Sequence, residues 1–114
     1  MDNCIFCKII RGEIPSNKIF EDDEILAFHD INPAAPVHFL VIPKQHISNI
    51  LETKEADSAL LGKLVFRAQK LAAALGCEEN GFRLVVNCKS HGCQSVDHLH
   101  VHILGGRQLA WPPG

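Results

Sequence analysis

The most restrictive feature of this sequence is a stretch near its C-terminal end in which histidines alternate with aliphatic residues. His98, His100 and His102 are separated by single apolar residues in the order His-Leu-His-Val-His-Ile-Leu. Successive side chains of a β-strand point to opposite faces of the sheet. The alternation therefore predicts a strand over His98–Leu104, with three imidazoles on one face and aliphatic side chains on the other.

Three imidazoles on one face fit three different roles. They could form a solvated polar face, or bind a metal ion through a His-x-His pair. They could also supply a nucleophilic ring nitrogen, with a neighbouring imidazole as the proton donor. The spacing by itself does not separate metal ligation from nucleophilic catalysis.

The rest of the pattern predicts an α+β fold, with a mostly antiparallel sheet of five strands, one long helix and a short N-terminal helix. Apolar residues recur at helical spacing from about Lys54 to Leu75, and Gly76 follows as a helix stop. The apolar run Val37–Ile42 favours a central strand covered on both faces. The other predicted elements are a helix over Cys4–Arg11 and strands over Lys18–Glu21, Glu24–His29 and Phe82–Asn87.

Length and composition limit the class of protein. The 114 residues suit one domain, residues 1–114, and 46% hydrophobic with 21% charged residues argues against disorder. The net charge of −2 gives no electrostatic case for binding nucleic acid polymers or a membrane surface. The N-terminus lacks the basic and apolar regions of a signal peptide. Because the five cysteines are also odd in number, we expect no disulfide framework and a cytoplasmic location, with the nucleus also open.

Two of the cysteines form a C-x-x-C motif, Cys4-Ile5-Phe6-Cys7. Such a pair is found in metal sites and in redox dithiols, or it can be two unrelated thiols on a short helix. A thioredoxin-type pair normally follows a strand, whereas this pair opens the chain, which disfavours the redox interpretation. A structural zinc site needs four ligands, so the pair would need two more.

The sequence resembles the histidine-triad (HIT) family, and within it the Hint branch of nucleotide-binding proteins. His98–Leu104 is similar to the family signature, in which three histidines alternate with hydrophobic residues. The likeness extends over nearly the whole chain and includes the ending Trp111–Gly114. The other similar segments are Ile5–Phe6, Lys8–Ile10, Glu13–Pro15, Phe28–Pro33, Pro36–Lys44 and Gly105–Gln108.

This resemblance implies hydrolysis of the phosphorus–nitrogen bond of a purine nucleoside 5′-phosphoramidate, such as an AMP–amine conjugate. It implies that His100 is the nucleophile and forms a nucleotidyl-histidine. His102 would protonate the leaving amine, with His38 as a relay. Ser95 and the backbone N–H groups of its loop would hold the phosphate oxygens.

The resemblance also implies a nucleotide pocket. Asp30 would accept hydrogen bonds from the ribose hydroxyls, and Asn87 would cap the phosphate end. Two departures from the family pattern stand near the phosphate: Cys93, where relatives have glycine, and Asp97, where they have an aromatic residue. The implied base-pocket residues are Phe6, Ile9, Phe28, Ile31 and Leu40, and the implied phosphate-side residues are Asn87, Cys93, Gln94, Ser95, His100 and His102.

The family further implies a structural zinc ion and a homodimer. Relatives with the cysteine pair complete the site with two histidines, here His46 and His98, which would reserve His98 for structure. The long helix and the strand Phe82–Asn87 are the expected dimer elements, and the tail with Trp111 would reach the partner's active site.

Three other functions stay open beside the phosphoramidase. A nucleotide-binding interaction module would bind nucleoside monophosphates but hydrolyse too slowly to matter. A metallohydrolase using the triad on zinc would lose all activity on chelation. A dinucleotide polyphosphate hydrolase belongs to another branch of the family, and Gly105-Gly106-Arg107 and Trp111 favour Hint over it.

Overall fold

The computed structural model describes residues 3–114, so Met1 and Asp2 of the N-terminal stretch expected to lack a signal peptide lie outside it. Its centre is a five-stranded sheet in the order β1-β2-β3-β5-β4, in which every neighbouring pair is antiparallel. This confirms the predicted α+β class. The strands are β1 Lys18–Glu21, β2 Ile25–His29, β3 Val37–Pro43, β4 Phe82–Val85 and β5 Val101–Gly105.

The helices follow the predicted pattern with different ends. The short helix α1 covers Ile5–Ile10, and the long helix α2 covers Ser58–Ala72. The predicted start at Lys54 is wrong because a 3-10 turn, Glu55–Asp57, precedes α2. Beyond α2 the chain widens into a π-helical turn, Ala73–Cys77. Further 3-10 turns cover Ile50–Glu52 and Ser90–Gly92.

The sheet separates two apolar clusters, one on each face. Helix α2 packs against β3 and β5, over a core to which Phe39, Val101 and Ile103 contribute. The opposite face packs against α1 through a second cluster that contains Leu26 and Ile42. Because β3 is central and covered on both faces, its residues from His38 to Pro43 are buried, as the apolar run predicts.

The strand predicted over His98–Leu104 is correct in its alternation and wrong in its first residues. Strand β5 begins at Val101. The preceding segment bends, with the His98 amide donating to the Val96 carbonyl at 2.9 Å, and it pairs with no strand of residues 3–114. The amide of Leu99 donates to the Ile47 carbonyl at 2.6 Å. This bond ties the segment to the chain beyond β3. Similarly, β4 ends at Val85 and not at Asn87.

No helix among the described residues is long and apolar enough to cross a membrane.

Candidate functional site

Side-chain alternation in two adjacent strands brings the histidines to the α1 face of the sheet. In the β3–β5 ladder, Leu40 lies opposite His102, and His38 lies opposite Leu104. His38 and His102 therefore project from diagonal positions on one face. His98 and His100, in the segment before β5, lie on this face too, because the Phe6 ring of α1 meets both of their rings.

All four predicted ligands converge at the start of α1. One ligand atom each from Cys4, Cys7, His46 and His98 can be chosen so that all lie within 4.8 Å of one another. The Nδ1 atom of His98 lies 3.4 Å from the Cys4 sulfur and 3.6 Å from the Cys7 sulfur. The Nδ1 atom of His46 lies 3.3 Å from the Cys7 sulfur. Two thiols and two imidazoles in this arrangement are able to hold a metal ion; we call these four residues the thiol cluster.

Backbone groups orient the ligands of the thiol cluster. Cys4 caps the N-terminus of α1, and its sulfur accepts a hydrogen bond from the Cys7 amide at 3.4 Å. The Nε2–H of His98 donates to the Pro43 carbonyl at 2.8 Å. The neutral ring therefore keeps an unshared electron pair on Nδ1, toward the sulfurs. Burial, followed by the neighbouring Cys4 thiol, raises the pKa of Cys7.

A second group of ligand-type side chains, Asp30, His38 and His102, lies on the same face; we call it the relay cluster. The amide of Ala34 donates to His38 Nδ1 at 3.0 Å, so the neutral ring carries its proton on Nε2. That Nε2 lies 3.0 Å from His102 Nδ1 and 3.5 Å from an Asp30 carboxylate oxygen. His38 therefore donates to His102, and the proton of the neutral His102 ring is on Nε2.

His100 stands between the two clusters. Its Nδ1–H donates to the His98 carbonyl at 2.7 Å, which leaves the unshared electron pair on Nε2. The ring contacts Phe6 edge-to-face, with centroids 5.2 Å apart, and lies 4.9 Å from the His102 ring. His100 is 3% exposed, so its side chain is almost wholly buried. Its Nε2 is the basic nitrogen next to a ring that carries a proton.

The buried imidazoles favour their neutral forms. Burial lowers the pKa of His98 and of His100, because a charged ring loses its hydration. Burial also lowers the pKa of His102 to about 4, helped by the neighbouring His100 and His38 rings and opposed by Asp30. A neutral imidazole has a nitrogen lone pair available for attack.

The residues expected to bind the base separate into a buried group and one exposed residue. Phe6, Ile9, Phe28 and Leu40 lie together in the apolar cluster under α1. The Phe6 and Phe28 rings meet edge-to-face, with centroids 5.5 Å apart. Ile31, in contrast, is 89% exposed. The structure thus places four of the five expected base-pocket residues in the core of the α1 face, where each is at most 6% exposed.

Asp30 has a local and a longer-range contact. One carboxylate oxygen accepts a hydrogen bond from the Asn32 amide at 2.8 Å, a turn that the sequence allows for an aspartate before a proline-rich loop. The other oxygen faces His38. The carboxylate is therefore held in place, with lone pairs left over for a ligand.

The loop before the triad contains two residues with positive φ. Cys93 has φ 59° and ψ 40°, a left-handed conformation that glycine adopts without strain. This explains why a glycine suits the Cys93 position. Lys89 has φ 59° and ψ −165°, a region that is almost restricted to glycine. Asn87, at the start of the loop, is half-buried and packs against Gly92.

Gln94 holds this loop to its surroundings. Its side-chain nitrogen donates to the Ser48 and Val96 carbonyls at 2.8 and 2.9 Å, and its oxygen accepts from the Lys89 amide at 3.1 Å. The amide that the resemblance assigns to nucleotide binding is thus engaged within the protein. Ser95 is exposed and borders an open depression of about 640 Å³, together with Cys4 and His46 of the thiol cluster.

The C-terminal tail presents its tryptophan to solvent. Trp111 is 79% exposed, and its ring lies 5.9 Å from the Arg83 guanidinium. Large apolar side chains are also exposed on α2 and near β4, namely Val65, Phe66, Phe82 and Val86.

Some functional contacts have no signal in the sequence. The Pro43 and His98 carbonyls and the Ala34 amide fix the histidine protons, but backbone groups are the same at every position. The strained Lys89 is not marked by its residue type. His46 has a weak signal, because it follows the predicted strand that ends at Pro43, yet no periodicity links it to Cys4 and Cys7.

Comparisons with known proteins agree on the protein family that has this fold and these histidines. The HIT domain matches residues 11–109. A crystal structure of a HIT family hydrolase from Legionella pneumophila superposes with a TM-score of 0.96 at 56% identity, over 98% of this chain and 100% of that one. The chain therefore belongs to the HIT family.

Two sequence relatives extend over nearly the full length. An uncharacterized HIT-like protein of Synechococcus elongatus is 54% identical, over 99% of this chain and 98% of its own. A protein of Brassica juncea, named a 14 kDa zinc-binding protein, is 49% identical over 96% of this chain and 98% of its own.

Proposed function

We propose that this chain is a Hint-type hydrolase that cleaves the phosphorus–nitrogen bond of purine nucleoside 5′-phosphoramidates. The observation that carries the proposal is the set of histidine protons fixed by hydrogen bonds. His100 has its free lone pair on Nε2, and His102, 4.9 Å away between ring centroids, has its free N–H on Nε2. A nucleophile and a proton carrier thus lie side by side. The likeness to a HIT family hydrolase supports the same reaction class.

The reaction has two steps. In the first, His100 Nε2 attacks the α-phosphorus, a new bond forms between that nitrogen and phosphorus, and the bond to the leaving amine breaks. In the second, water attacks the same phosphorus and breaks the bond to His100. The products are the free amine and the nucleoside monophosphate, and His100 returns to its starting form.

His102 moves the proton in both steps. An amine leaves only after it is protonated, so the first step needs an acid and the second needs a base to take a proton from water. In the free chain the pKa of His102 is about 4, and the ring is neutral at pH 7. A bound phosphate brings negative charge next to the ring and raises its pKa, because an anion favours the imidazolium. His38, which donates to His102 Nδ1 and faces Asp30, holds the ring in position.

The nucleotide would lie across the α1 face. The base contacts the cluster of Phe6, Ile9, Phe28 and Leu40, with Ile31 at the edge. The ribose hydroxyls meet the remaining lone pairs of Asp30. The phosphate contacts the loop that carries Asn87, Cys93, Gln94 and Ser95, where Gln94 acts by holding the loop and Ser95 offers a hydroxyl.

The thiol cluster would hold a structural zinc ion. Zn–S bonds near 2.3 Å and Zn–N bonds near 2.0 Å in a tetrahedron separate ligand atoms by roughly 3.3–3.8 Å. The sulfur–nitrogen distances of 3.3, 3.4 and 3.6 Å fit this range. The Brassica juncea relative is named a zinc-binding protein. When bound, zinc supplies cross-linking of α1 to the sheet, and it takes no part in the bond-breaking steps.

We further propose a homodimer in the cytoplasm, with the nucleus also open. The exposed apolar residues of α2 and the β4 region are Val65, Phe66, Phe82 and Val86, which would lie in the interface. Trp111, 79% exposed, would contact the partner subunit near its site.

The test is release of AMP from adenosine 5′-phosphoramidate by the wild type and by His100→Ala. We expect turnover in the wild type and a loss of roughly 1000-fold or more in the variant, since no other nitrogen can form the intermediate. AMP binding should stay within about fivefold in the variant. His29→Ala, at the end of β2 and outside both clusters, is the matched control and should keep wild-type turnover.

Two results would change the assignment. Wild-type chain that binds AMP but does not hydrolyse the phosphoramidate would be a nucleotide-binding interaction module. Wild-type chain that cleaves dinucleotide polyphosphates much faster than the phosphoramidate would belong to the other branch of the family.

A further inference from the structure

The thiol cluster and the proposed nucleophile are joined by contacts that the two-step reaction does not use. His98 belongs to the thiol cluster through its Nδ1 atom, 3.4 and 3.6 Å from the two sulfurs. The carbonyl of the same residue accepts the Nδ1–H of His100 at 2.7 Å. One residue thus contacts the metal-binding atoms with its side chain and the nucleophilic ring with its backbone.

Phe6 forms a second connection. It lies between Cys4 and Cys7 on α1 and is buried. Its ring meets the His98 ring edge-to-face with centroids 5.8 Å apart, and the His100 ring with centroids 5.2 Å apart. When Cys4 and Cys7 hold α1 in place, the helix therefore keeps the Phe6 ring in contact with the rings of His98 and His100.

We propose that the thiol cluster, when it holds its metal ion, positions the nucleophile: it fixes the His98 backbone and Phe6, and these fix the ring orientation and the proton location of His100. The proposal rests on the proposed function for the role of His100. In it, His98 is a positioning residue, because it acts on the reaction only through His100. Phe6 has this positioning role in addition to its proposed contact with the base.

The backbone of the segment before β5 has few restraints. Because His98 and His100 precede the first ladder residue, Val101, no neighbouring strand within the described part of the chain holds their backbone. The Leu99 amide bond to Ile47 and the His98 side-chain bond to Pro43 remain. A metal ion bound by His46 and His98 would tie the same two segments together. Without it, these two hydrogen bonds are left to hold the peptide between His98 and Leu99. When they open, that peptide can rotate and the His100 proton is free to move to Nε2, which blocks attack.

The first test compares zinc-loaded and chelated protein. Two-dimensional NMR of the ¹⁵N-labelled histidine rings reports which nitrogen of His100 carries the proton. We expect Nδ1–H in the zinc-loaded chain and a mixture of both forms after chelation, restored by added Zn²⁺. For adenosine 5′-phosphoramidate we expect kcat to fall about tenfold and KM to stay within about twofold. A chelated chain that is folded and has unchanged His100 signals and kcat would overturn the proposal.

The second test leaves the metal in place. Phe6→Leu keeps an apolar side chain on α1 but removes the edge contact to His100. We expect the same mixture of His100 forms and a lower kcat, at unchanged zinc content. Ile5→Leu, on an exposed neighbour in the same helix, should match the wild type in both readouts. Phe6→Leu with wild-type His100 signals and wild-type kcat would overturn the role of Phe6. If chelation unfolds the chain, the result for this variant alone decides whether the positioning proposal stands.

The two proposals fail in different ways. If the wild type does not hydrolyse the phosphoramidate, the proposed function is wrong, while the NMR signals still measure the coupling of His100 to the metal. If turnover is present but the His100 signals do not respond to zinc or to Phe6→Leu, only the positioning role is wrong.

Discussion

The thiol cluster and the relay cluster lie on the same face of one sheet, and both contain two imidazoles. They differ in the atoms that lie next to the imidazole nitrogens. In the thiol cluster, His98 and His46 each place a nitrogen within 3.6 Å of a cysteine sulfur. In the relay cluster, His38 and His102 face each other at 3.0 Å, and a proton lies between them. The first arrangement converges on a point that an ion can fill, and the second is already closed by a hydrogen bond.

The difference comes from backbone contacts and from the third type of ligand. The Pro43 carbonyl takes the Nε2–H of His98 and leaves Nδ1 open, whereas the Ala34 amide occupies Nδ1 of His38. Two sulfurs in one cluster favour a soft or borderline ion such as zinc, while the single Asp30 carboxylate in the other stabilises a positive imidazole. The same residue type therefore serves two roles on neighbouring positions of one segment.

The largest expected effect is a loss of turnover when the relay cluster is altered. His102→Ala removes the proton carrier, and we expect turnover to fall by about 100- to 10,000-fold, because general acid–base catalysis contributes that much. Zinc content per chain should not change, since the thiol cluster is intact. Loss of zinc from this variant, measured by elemental analysis, would contradict the division into two clusters.

The next largest effect is a loss of stability when the thiol cluster is altered. Cys7→Ser removes a buried sulfur ligand, and we expect loss of bound zinc together with more than about 2 kcal/mol of the free energy of unfolding. Cys88→Ser, on a half-buried cysteine outside both clusters, is the matched control and should retain zinc. Urea unfolding with zinc analysis tests both. Cys7→Ser with full zinc content would contradict the assignment of the zinc ion to the thiol cluster.

A smaller effect concerns acid stability through the relay cluster. The folded chain takes up a proton on His102 only at a pKa of about 4, whereas the unfolded chain does so near the ordinary value of 6.5. Between these values the unfolded state binds more protons, so the stability contribution of neutral His102, present above pH 6.5, is lost as the pH falls toward 4. We expect His102→Asn to show a weaker fall in unfolding free energy between pH 7 and 4.

Urea unfolding of the wild type and His102→Asn at several pH values measures that difference. His91→Asn is the control, because the His91 ring is solvent-exposed in the folded chain, as it is in the unfolded one. Equal pH slopes for the wild type and His102→Asn would show that His102 gains no proton on unfolding.

The smallest expected effect lies in the loop that leads to both clusters. Lys89 has φ 59° and ψ −165°, and relief of this strain by Lys89→Gly should raise the free energy of unfolding by about 1 kcal/mol. Lys54→Gly is the matched control at an ordinary extended position, φ −119°, where glycine gives no relief. Urea unfolding measures both, and a loss of stability in Lys89→Gly would mean that its backbone is not strained.

Local patterns were sufficient for most of the fold. The alternation at His98–Leu104, the apolar run of β3 and the helical spacing of α2 each predict one element, because burial on a sheet or helix face repeats at a fixed period. The ends of these elements differ from the prediction. Strand β5 begins at Val101, because the partners of the preceding segment are a carbonyl at Ile47 and the side chains under α1. Sequence periodicity does not predict such partners.

The sequence by itself determined the class of fold, the face that holds the three histidines and, through its resemblance, membership in the HIT family. Only the tertiary structure decided which imidazole has which free nitrogen. That choice depends on the Pro43 and His98 carbonyls and on the Ala34 amide, which every sequence supplies and which only the folded backbone directs at particular rings. Residue type gives an imidazole its chemistry, and the position of a backbone dipole determines where its proton lies.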